Sequence, residues 1–406
     1  MAGLVVVKPV GEPAGSRLVV VEEFDRVVRG EPMDIDVSVC VLAKNEEGQI
    51  ERALRSVAGF AREVLVGDVA SSDATAEVAR GLGAIVHPIE WQQSFAAGRN
   101  ALLARASGDW VVWLNPDEEW IEPAGGPVAT LAGAEAFGFI VGIRNVFRPD
   151  HCDQYSETLD LRVFRNRPEA RFVSRANPRL DADALARAGL AVAPSDFVIR
   201  CHAYASQVTP AKLRWAADLW ERVLAERPGD FEATLELGQT LAMLGDPRGE
   251  KLLVQASGRV LGAREQATSP SPAAEIAIEH MIRGKLFEPQ SSLIRELALR
   301  WYPNSPGLLW TVAESLFKAN QWKASAILLE RLLELGRTGA YDRARRFDPR
   351  ILSIWPLRNL AECRFALGEI DAAAAIYRGL LADPEAAPQA IEKLARIDDL
   401  LQPPQA

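Results

Sequence analysis

Cysteine and histidine are scarce in this chain of 406 residues, which contains four of each. The cysteines show no CxxC spacing, and Cys40 lies in a strongly apolar stretch, so the sequence predicts reduced thiols and no disulfide framework. Four histidines leave little room for a histidine-based metal site. The cysteine usage therefore fits a protein of a reducing compartment.

Long hydrophobic runs and an excess of positive charge are missing as well. No apolar run approaches the roughly 18 to 20 residues of a membrane span. The N-terminal sequence MAGLVVVKPVGEP lacks the basic start and the apolar stretch of about 7 to 15 residues that a signal peptide needs. The net charge of -9 argues against a nucleic-acid-binding protein. We therefore expect a cytoplasmic protein with no membrane span and no nucleic-acid partner.

The residues that are present divide the chain into regions. A length of 406 residues with 48 % hydrophobic and 25 % charged residues suits two or three globular domains. Residues 1–36 contain glycine, proline and acidic clusters and are assigned to an N-terminal arm. From Val37 to Leu114 strand and helix patterns alternate, which predicts a mostly parallel sheet with right-handed crossovers. From about Phe137 two strand patterns follow without a helix between them, GFIVGIRNVF and TLDLRVFRN, so the sheet is expected to become mixed.

Helical patterns replace strand patterns beyond about Gln207. Residues 357–385 and 307–336 place small and large apolar residues as a tetratricopeptide repeat does, and residues 231–246 with the helix before them form a weaker third copy. The copies are irregularly spaced, with insertions near residues 263–272 and 338–349. We predict a tetratricopeptide-like helical domain over residues 208–396 and a tail over residues 397–406, with a plain helical bundle as the alternative.

Four short motifs follow the predicted strands in a fixed order: VSVCVLAKNEE from Val37, VLVGDVASSD from Val64, SFAAGRN from Ser94 and WVVWLNPDEEW from Trp110. In an open parallel sheet, ligands bind at the carboxyl ends of the strands, and each motif sits at such an end. Asp68, just after the second strand, can accept hydrogen bonds from a base or a ribose. It can equally cap the turn that follows it.

Together the motifs resemble the nucleotide-sugar half of a family 2 glycosyltransferase of the GT-A fold, similar to the lipopolysaccharide-core glucosyltransferases. The resemblance covers residues 37–207. It implies an α/β domain with a GT-A type, Rossmann-like mixed sheet, joined here to an all-α region, and a nucleoside-diphosphate sugar as the donor. The side chains that the resemblance places on this donor are Asn45, Glu46, Asp68, Asp73, Arg99, Asn100, Asn115 and Arg165.

An acidic motif, LNPDE, stands where the family holds a divalent cation, Mg2+ or Mn2+, that bridges the phosphates of the nucleotide. Asn115 replaces the first aspartate of the family's D-x-D motif. Asn115 still offers a carbonyl oxygen to the metal but no charge, so Asp117 remains as the main metal ligand with Glu118 as a helper, and the affinity for the metal should be weak. His202, in VIRCHAYAS, is a further candidate ligand, although a lone histidine near a strand is often structural.

Sugar transfer with inversion also needs a general base that takes the proton of the acceptor. The family has a His-Glu pair after an arginine that corresponds to Arg175, whereas this chain has Asn177 and Pro178 there. The expected catalytic residues are Asp117, Glu118 and Arg175. A substitute base would come from Glu118, Glu119, Asp181 or Asp183, and the sequence does not choose among them.

Two functions remain open from the sequence. The first is an inverting glycosyltransferase whose helical repeats hold a sugar or protein acceptor. The second is a catalytically degenerate module that binds a nucleotide sugar, while the repeats contact a protein partner or a second copy of the chain. The altered positions at Asn115 and Asn177 favour the second function, and the retained Asp68, Arg99 and Asp117 favour the first. A nucleotidyltransferase ranks last, because the glycine-rich basic loop expected near the first strand is missing.

Overall fold

The computed structural model describes residues 35–124, 126–148, 151–202, 209–269, 271, 273–284 and 290–401. Most of the N-terminal arm expected at residues 1–36 lies outside the described residues, as do residues 402–406 of the expected tail. Within the described residues, eight strands form one sheet and two short strands form another. The large sheet contains β1 (Val37–Ala43), β2 (Glu63–Asp68), β3 (Ile85–Pro88), β4 (Trp110–Leu114), β5 (Glu118–Glu122), β6 (Gly138–Val146), β7 (Tyr155–Arg165) and β10 (Val192–Cys201). The small sheet pairs β8 (Phe172–Val173) with β9 (Arg179–Leu180).

The large sheet is mixed, with the strand order β3-β2-β1-β4-β7-β6-β10-β5. β1 pairs in parallel with β2 and β4, and β2 pairs in parallel with β3. β7 lies antiparallel between β4 and β6, β10 is parallel to β6, and β5 closes the sheet antiparallel to β10. The carboxyl ends of β1 to β4, β6 and β10 therefore share one edge with the amino ends of β5 and β7. We call this edge the carboxyl edge.

Continuous apolar runs explain the central strands. β4 reads WVVWL and is buried over its whole length, and β1, which reads VSVCVLA, is buried at all but one position. Such strands need helices on both faces of the sheet. The helices of this region are α1 (Ile50–Val57), α2 (Thr75–Gly81), α3 (Phe95–Leu103), α4 (Val128–Leu131) and α5 (Ala182–Arg187). α1 buries Ile50, Ala53, Leu54 and Val57 on one face, as its apolar spacing predicts.

β5 is the strand that the sequence pattern did not reveal, since its sequence EEWIE begins with residues that are uncommon in strands. Two contacts hold it in place. Glu119 lies opposite Arg200 of β10, which brings opposite charges together across the strand pair. Trp120 is buried and packs against Phe197. Tertiary pairing thus overrides the local preference for a turn.

The chain is helical from Pro210 to Leu401, within the residues described there. Thr209, Asp230 and Ser305 each accept a hydrogen bond from a first-turn backbone N–H, which fixes where three of the helices begin. The helices are α6 (Pro210–Glu226), α7 (Phe231–Met243), α8 (Pro247–Gly262), α9 (Ala274–Arg283), α10 (Ser291–Trp301), α11 (Pro306–Lys318), α12 (Trp322–Thr338), α13 (Ile354–Ala366), α14 (Ile370–Leu380) and α15 (Ala387–Leu401). A short 3-10 turn, Pro349–Leu352, precedes α13.

Each expected repeat copy is a pair of packed helices, namely α6 with α7, α11 with α12, and α13 with α14. Ala361, Ala373 and Tyr377, which occupy the repeat packing positions of the last copy, are buried. The predicted fold class, a mixed α/β sheet followed by a helical repeat region, is confirmed. α15 continues past residue 396 and buries Ile397, so the helical region extends into the residues assigned to the tail. Among the described helices, none combines the length and apolar composition that a bilayer crossing requires.

Candidate functional site

The turn between β4 and β5 forms the centre of the carboxyl edge. Glu118 is fully buried there, and its carboxylate accepts hydrogen bonds from the backbone N–H of Asn115 at 2.7 Å and from Asn115 Nδ2 at 3.0 Å. Arg162 of β7 donates to both Glu118 oxygens, at 2.8 and 3.1 Å. Because both partners are buried, either one alone would leave an uncompensated charge inside the protein. Glu118 therefore holds the turn through the Arg162 ion pair.

Arg162 is a site residue that the sequence reasoning missed. The segment TLDLRVFRN offers two arginines, and the family resemblance pointed to Arg165. β7 runs antiparallel to β4, so Arg165 lies opposite Trp110, at the amino end of β4. The Arg165 guanidinium stacks on the Trp110 ring at 4.5 Å and donates to the Ala136 carbonyl at 3.2 Å. Arg165 therefore does not reach the carboxyl edge, and only the direction of β7 distinguishes the two arginines.

Arg99 of α3 does reach the turn. Its Nη2 donates to Asn115 Oδ1 at 3.1 Å, and its guanidinium lies beside the rings of Trp113 and Phe172, at 4.8 and 5.0 Å from their centroids. Burial, together with the positive charge of Arg162, lowers the pKa of Arg99 to about 9. The side chain is still cationic at neutral pH. The structure thus places a fixed positive charge beside Asn115.

Asn100, the neighbour of Arg99, has both ends of its amide engaged by a backbone. Its Nδ2 donates to the Phe172 carbonyl at 2.9 Å, and its Oδ1 accepts from the Phe172 N–H at 2.8 Å. Asn100 therefore fixes β8, the strand whose Phe172 ring covers Arg99. Asn100 thus acts on the site indirectly, by fixing the position of Phe172 next to Arg99.

The loops after β1 and β2 are tied to each other at the same edge. Asn45 adopts a left-handed φ of 56°, which asparagine tolerates better than most residues. Its Oδ1 accepts from the Ser72 N–H at 2.8 Å, and its own N–H donates to Ser71 Oγ at 2.9 Å. Asp68 Oδ1 accepts from the Ser71 N–H at 3.3 Å, so the turn-capping contact considered for Asp68 is present. Asn45, in the loop after β1, and Asp68, the last residue of β2, nevertheless both lie at the carboxyl edge.

Glu46 and Asp73 brace these loops. The Glu46 N–H donates to Thr75 Oγ1 at 2.8 Å, and Asp73 accepts from the Glu47 N–H at 3.2 Å and from the Thr75 N–H at 3.0 Å. Burial acts to raise the pKa of Asp73, but hydrogen bonds from Thr75 and Glu47 outweigh it and lower the pKa. The Glu46 carboxylate faces Lys212 of α6 at 3.5 Å. Asp73 therefore acts as a brace, while Glu46 connects the edge to the helical region.

Asp117 is half-buried at the start of β5. Burial and the negative charge of Glu118 raise its pKa to about 6. Its carboxylate lies 4.0 Å from Cys201 Sγ, and ligand atoms of Asp117, Glu118 and Cys201 fall within 4.8 Å of one another. The carboxyl edge thus holds a compact group of potential metal ligands.

The chemistry of this group fits a hard cation held by few protein oxygens. Glu118 is paired with an arginine, Asn115 Oδ1 already accepts from Arg99, and the Cys201 thiol is a soft ligand. Asp117 remains as the donor. Mg2+ commonly takes one or two protein carboxylates together with phosphate oxygens and water. The arrangement therefore suits a cation shared between Asp117 and a bound diphosphate.

His202, the further candidate metal ligand, contacts the carboxylate of Glu119. Its Nε2 lies 3.0 Å from Glu119 Oε1, and its backbone N–H donates to the Asp117 carbonyl at 2.9 Å. The hydrogen bond with His202, helped by Arg200 at 2.7 Å, lowers the pKa of Glu119 to about 2. Within the described residues, His202 is not part of the group formed by Asp117 and its neighbours. The structure therefore joins His202 to Glu119.

The candidates for a general base are mostly engaged elsewhere. Glu118 is paired with Arg162, and Glu119 is held by His202 and Arg200. Asp181 caps α5 by accepting from the Ala184 N–H at 2.9 Å, and Asp183 is exposed on that helix. Three of the four candidate carboxylates thus already have charged or backbone partners, and the fourth, Asp183, is exposed on α5.

Arg175 lies beside the loop before α3. Its guanidinium donates to the carbonyls of Gln92 at 3.1 Å and Gln93 at 2.7 Å and forms an ion pair with Glu226 at the end of α6. These contacts tie the loop to the helical region. The structure does not bring Arg175 to the β4–β5 turn through any of them.

Two parts of the helical region cover the carboxyl edge. Trp215 of α6 packs against Trp91 and Phe95, with ring centroids 5.1 and 5.0 Å apart. Residues 339–348, which we call the bridging segment, follow α12 and contact the amino end of β7. The Phe347 N–H donates to Ser156 Oγ at 3.4 Å within this contact.

Comparison with known proteins supports the resemblance. Residues 38–177 match the family model for glycosyl transferase family 2. A TPR repeat-containing protein of Synechococcus elongatus is 30 % identical over 222 residues, which are 52 % of this chain and 53 % of that protein. An uncharacterized glycosyltransferase of Rickettsia bellii is 38 % identical over 88 residues, 20 % of this chain and 28 % of that protein. The chain therefore spans about half or less of these relatives.

Solved structures with a similar arrangement are distant in sequence. Glucosyl-3-phosphoglycerate synthase from Mycobacterium tuberculosis, in complex with Mn2+, UDP and glucosyl-3-phosphoglycerate, is 18 % identical with a TM-score of 0.34; the match covers 53 % of this chain and 86 % of that one. Mannosyl-3-phosphoglycerate synthase from Rubrobacter xylanophilus is 16 % identical with a TM-score of 0.34. The match covers 51 % of this chain and 80 % of that one.

Proposed function

We propose that this chain, whose residues 38–177 match the family model for glycosyl transferase family 2, transfers a sugar from a nucleoside-diphosphate sugar to an acceptor, with inversion. In this reaction the acceptor oxygen bonds to the anomeric carbon, and the bond from that carbon to the diphosphate breaks. The diphosphate leaves with the bonding pair, and the acceptor proton passes to a base or to water. The family match carries the proposal, because it spans the loops that meet at the carboxyl edge.

The donor would lie along the carboxyl edge from the β1 and β2 loops to the β4–β5 turn. Asn45 and Asp68 stand at the nucleoside end in this proposal. Arg99 stands at the diphosphate end, where a fixed guanidinium can pair with phosphate oxygens. Its two flanking rings and its bond to Asn115 hold that charge in one place before the donor arrives. Preorganised charge of this kind favours the state in which negative charge develops on the leaving group.

A bound Mg2+ or Mn2+ would neutralise charge on the leaving diphosphate. Asp117 would hold it, with Asn115 beside it and the Glu118–Arg162 pair fixing the turn. His202 would act through the backbone, since its N–H fixes the Asp117 carbonyl. In this proposal Arg175 keeps the loop before α3 against α6.

A second candidate function is a module that binds a nucleotide sugar without transferring it. One observation favours it: Glu118, Glu119 and Asp181 are each engaged by arginine, histidine or backbone partners. A carboxylate tied to a buried arginine is a poor proton acceptor. In this case the helical repeats would serve as a surface for a protein partner or for a second copy of the chain.

The two functions are separated by measuring binding and turnover together. The full-length protein is titrated with a panel of UDP-, GDP-, ADP- and TDP-sugars with Mn2+, and release of the nucleoside diphosphate is followed. Transfer predicts saturable binding and slow release, both lost in Asp117→Asn but not in the matched control Asp371→Asn, whose carboxylate is exposed in the first turn of α14. Binding without any release would support the second function. No binding to any nucleotide sugar would refute both.

A further inference from the structure

The helical region contains a cavity of about 410 Å³. Its walls come from α9, α11, the start of α13 and the bridging segment. Pockets that bury small ligands have volumes of roughly 300 to 1,000 Å³. The cavity is therefore large enough for one or two sugar rings.

Two tryptophans form one wall of the cavity. Trp310 of α11 and Trp355 of α13 both line it, are half-buried, and have ring centroids 5.7 Å apart at an interplanar angle of 40°. Arg350 lies over the Trp355 ring at 4.7 Å, which helps to hold that ring. Held aromatic rings offer flat apolar surfaces, onto which the C–H face of a sugar ring can pack.

The opposite wall carries charges that are already paired. Arg345 lies 3.5 Å from both Glu275 and Glu279. Ser305 Oγ donates to Glu275 at 2.6 Å, and Arg283 donates to Glu279 at 2.9 Å. A strongly charged ligand would have to compete with these pairs. Hydroxyl groups can instead add to the remaining lone pairs and N–H groups, because a hydroxyl is both donor and acceptor.

The bridging segment connects the cavity to the carboxyl edge. Arg346 and Phe347 line the cavity, and both belong to this segment. The Phe347 N–H donates to Ser156 Oγ at 3.4 Å, and Arg343 lies 3.5 Å from Glu157, both at the amino end of β7 on the carboxyl edge. A ligand in the cavity would therefore lie beside a segment that contacts this edge.

We propose that this cavity binds the acceptor, and that the acceptor is a neutral saccharide whose ring packs on Trp310 and Trp355. The assignment of the ligand as an acceptor rests on the proposed transferase function, whereas the binding of a saccharide does not. The paired charges favour a neutral polyhydroxy ligand, and the bridging segment connects it to the sheet.

The proposal is tested by titrating the full-length protein with methyl glycosides of glucose, galactose, mannose and N-acetylglucosamine, and with maltose, cellobiose and lactose. Isothermal calorimetry or saturation-transfer NMR detects binding. The wild type should bind at least one of them, and Trp310→Ala and Trp355→Ala should weaken that binding about tenfold or more, since each removes a stacking surface. Trp322→Ala is the matched control, because Trp322 is also half-buried but packs against Phe317.

The variants are checked by circular dichroism. Should a tryptophan variant not fold, Trp310→Leu and Trp355→Leu give the same test, because leucine keeps apolar bulk at these cavity-lining positions and removes the flat ring. UDP with Mn2+ is titrated into the same wild-type sample. Nucleotide binding without binding of any glycoside would overturn the proposed saccharide site and leave the proposed transferase function standing. Tryptophan-dependent glycoside binding without nucleotide binding would support the saccharide site and count against the transferase. If every variant still bound the glycoside, the assignment of this cavity as the binding site would be wrong.

Discussion

The buried ion pair between Glu118 and Arg162 allows a quantitative test of how the β4–β5 turn is held. Replacing Arg162 with Met keeps much of the side-chain volume but leaves the Glu118 carboxylate buried without its cation. Breaking a buried pair from one side typically costs about 3–5 kcal/mol. Glu118 is 0 % exposed and Arg162 6 % exposed, so solvent can offset little of this cost. We expect the local stability around the turn to fall by that amount.

A double-mutant cycle separates the pair from simple packing. Glu118→Gln with Arg162→Met removes both charges and leaves an amide that can still accept from Asn115. This double variant should therefore regain most of the loss and lie within about 1 kcal/mol of the wild type. Asp160→Asn is the control. It removes the other carboxylate that contacts Arg162, but that side chain is 49 % exposed, so we expect less than about 1 kcal/mol.

The readout should be local, because the sheet and the helical region need not unfold together. Hydrogen exchange followed by mass spectrometry on peptides from β4, β5 and β7 reports the opening free energy of this edge. A loss of 3–5 kcal/mol corresponds to roughly two to four orders of magnitude in protection. Equal protection in wild type and Arg162→Met, or a double variant no better than the single one, would refute the reasoning.

Three further predictions concern other parts of the molecule. Asn100→Ala removes two hydrogen bonds to the Phe172 backbone and should cost about 2 kcal/mol of local stability. Hydrogen exchange in residues 170–175 should therefore become faster, and unchanged exchange there would contradict the view that Asn100 holds Phe172. Burial acts to raise the pKa of Glu63, but hydrogen bonds from Ser38 and Ser107 lower it below its ordinary value, so its contribution to stability is present at neutral pH and is lost as the pH falls through the folded pKa. Thermal melts should therefore show a smaller loss between pH 7 and pH 3 for Glu63→Gln than for wild type, and parallel losses would argue against it. Chelation with EDTA should weaken the binding of a nucleoside diphosphate, and Mn2+ should restore it, because the diphosphate would otherwise face Asp117 without a cation. If calorimetry showed no effect of EDTA, the proposed cation at this site would be wrong.

Much of the fold could be predicted from the sequence because its cues are local. The apolar runs of β1 and β4 and the spacing of Ile50, Leu54 and Val57 belong to single segments, and the structure confirms those elements. β5 could not be predicted, because its acidic sequence becomes a strand only by pairing with β10. Its existence depends on a contact between residues about eighty positions apart.

The site was less accessible to prediction for the same reason. Asn45, Asp68, Arg99 and Asp117 follow strand ends, and the topology brings those ends to one edge. The choice between Arg162 and Arg165 depends on the direction of β7, and the partner of His202 depends on the register of β10 against β5. Register and strand direction are set by long-range pairing. The ligand roles of these residues stay predictions until the nucleotide experiments are done.

The bridging segment has a consequence for how such proteins can be recombined. It is encoded within the helical repeats, yet it packs against Ser156 and Glu157 of the sheet. Exchanging the repeats for those of a relative would therefore also replace residues that pack on the amino end of β7 at the carboxyl edge. Chimeras with a crossover near residue 208 would alter both halves at once. Specificity in this chain would then depend on the sheet together with residues 339–348. The repeats could not be exchanged without also changing contacts to the sheet.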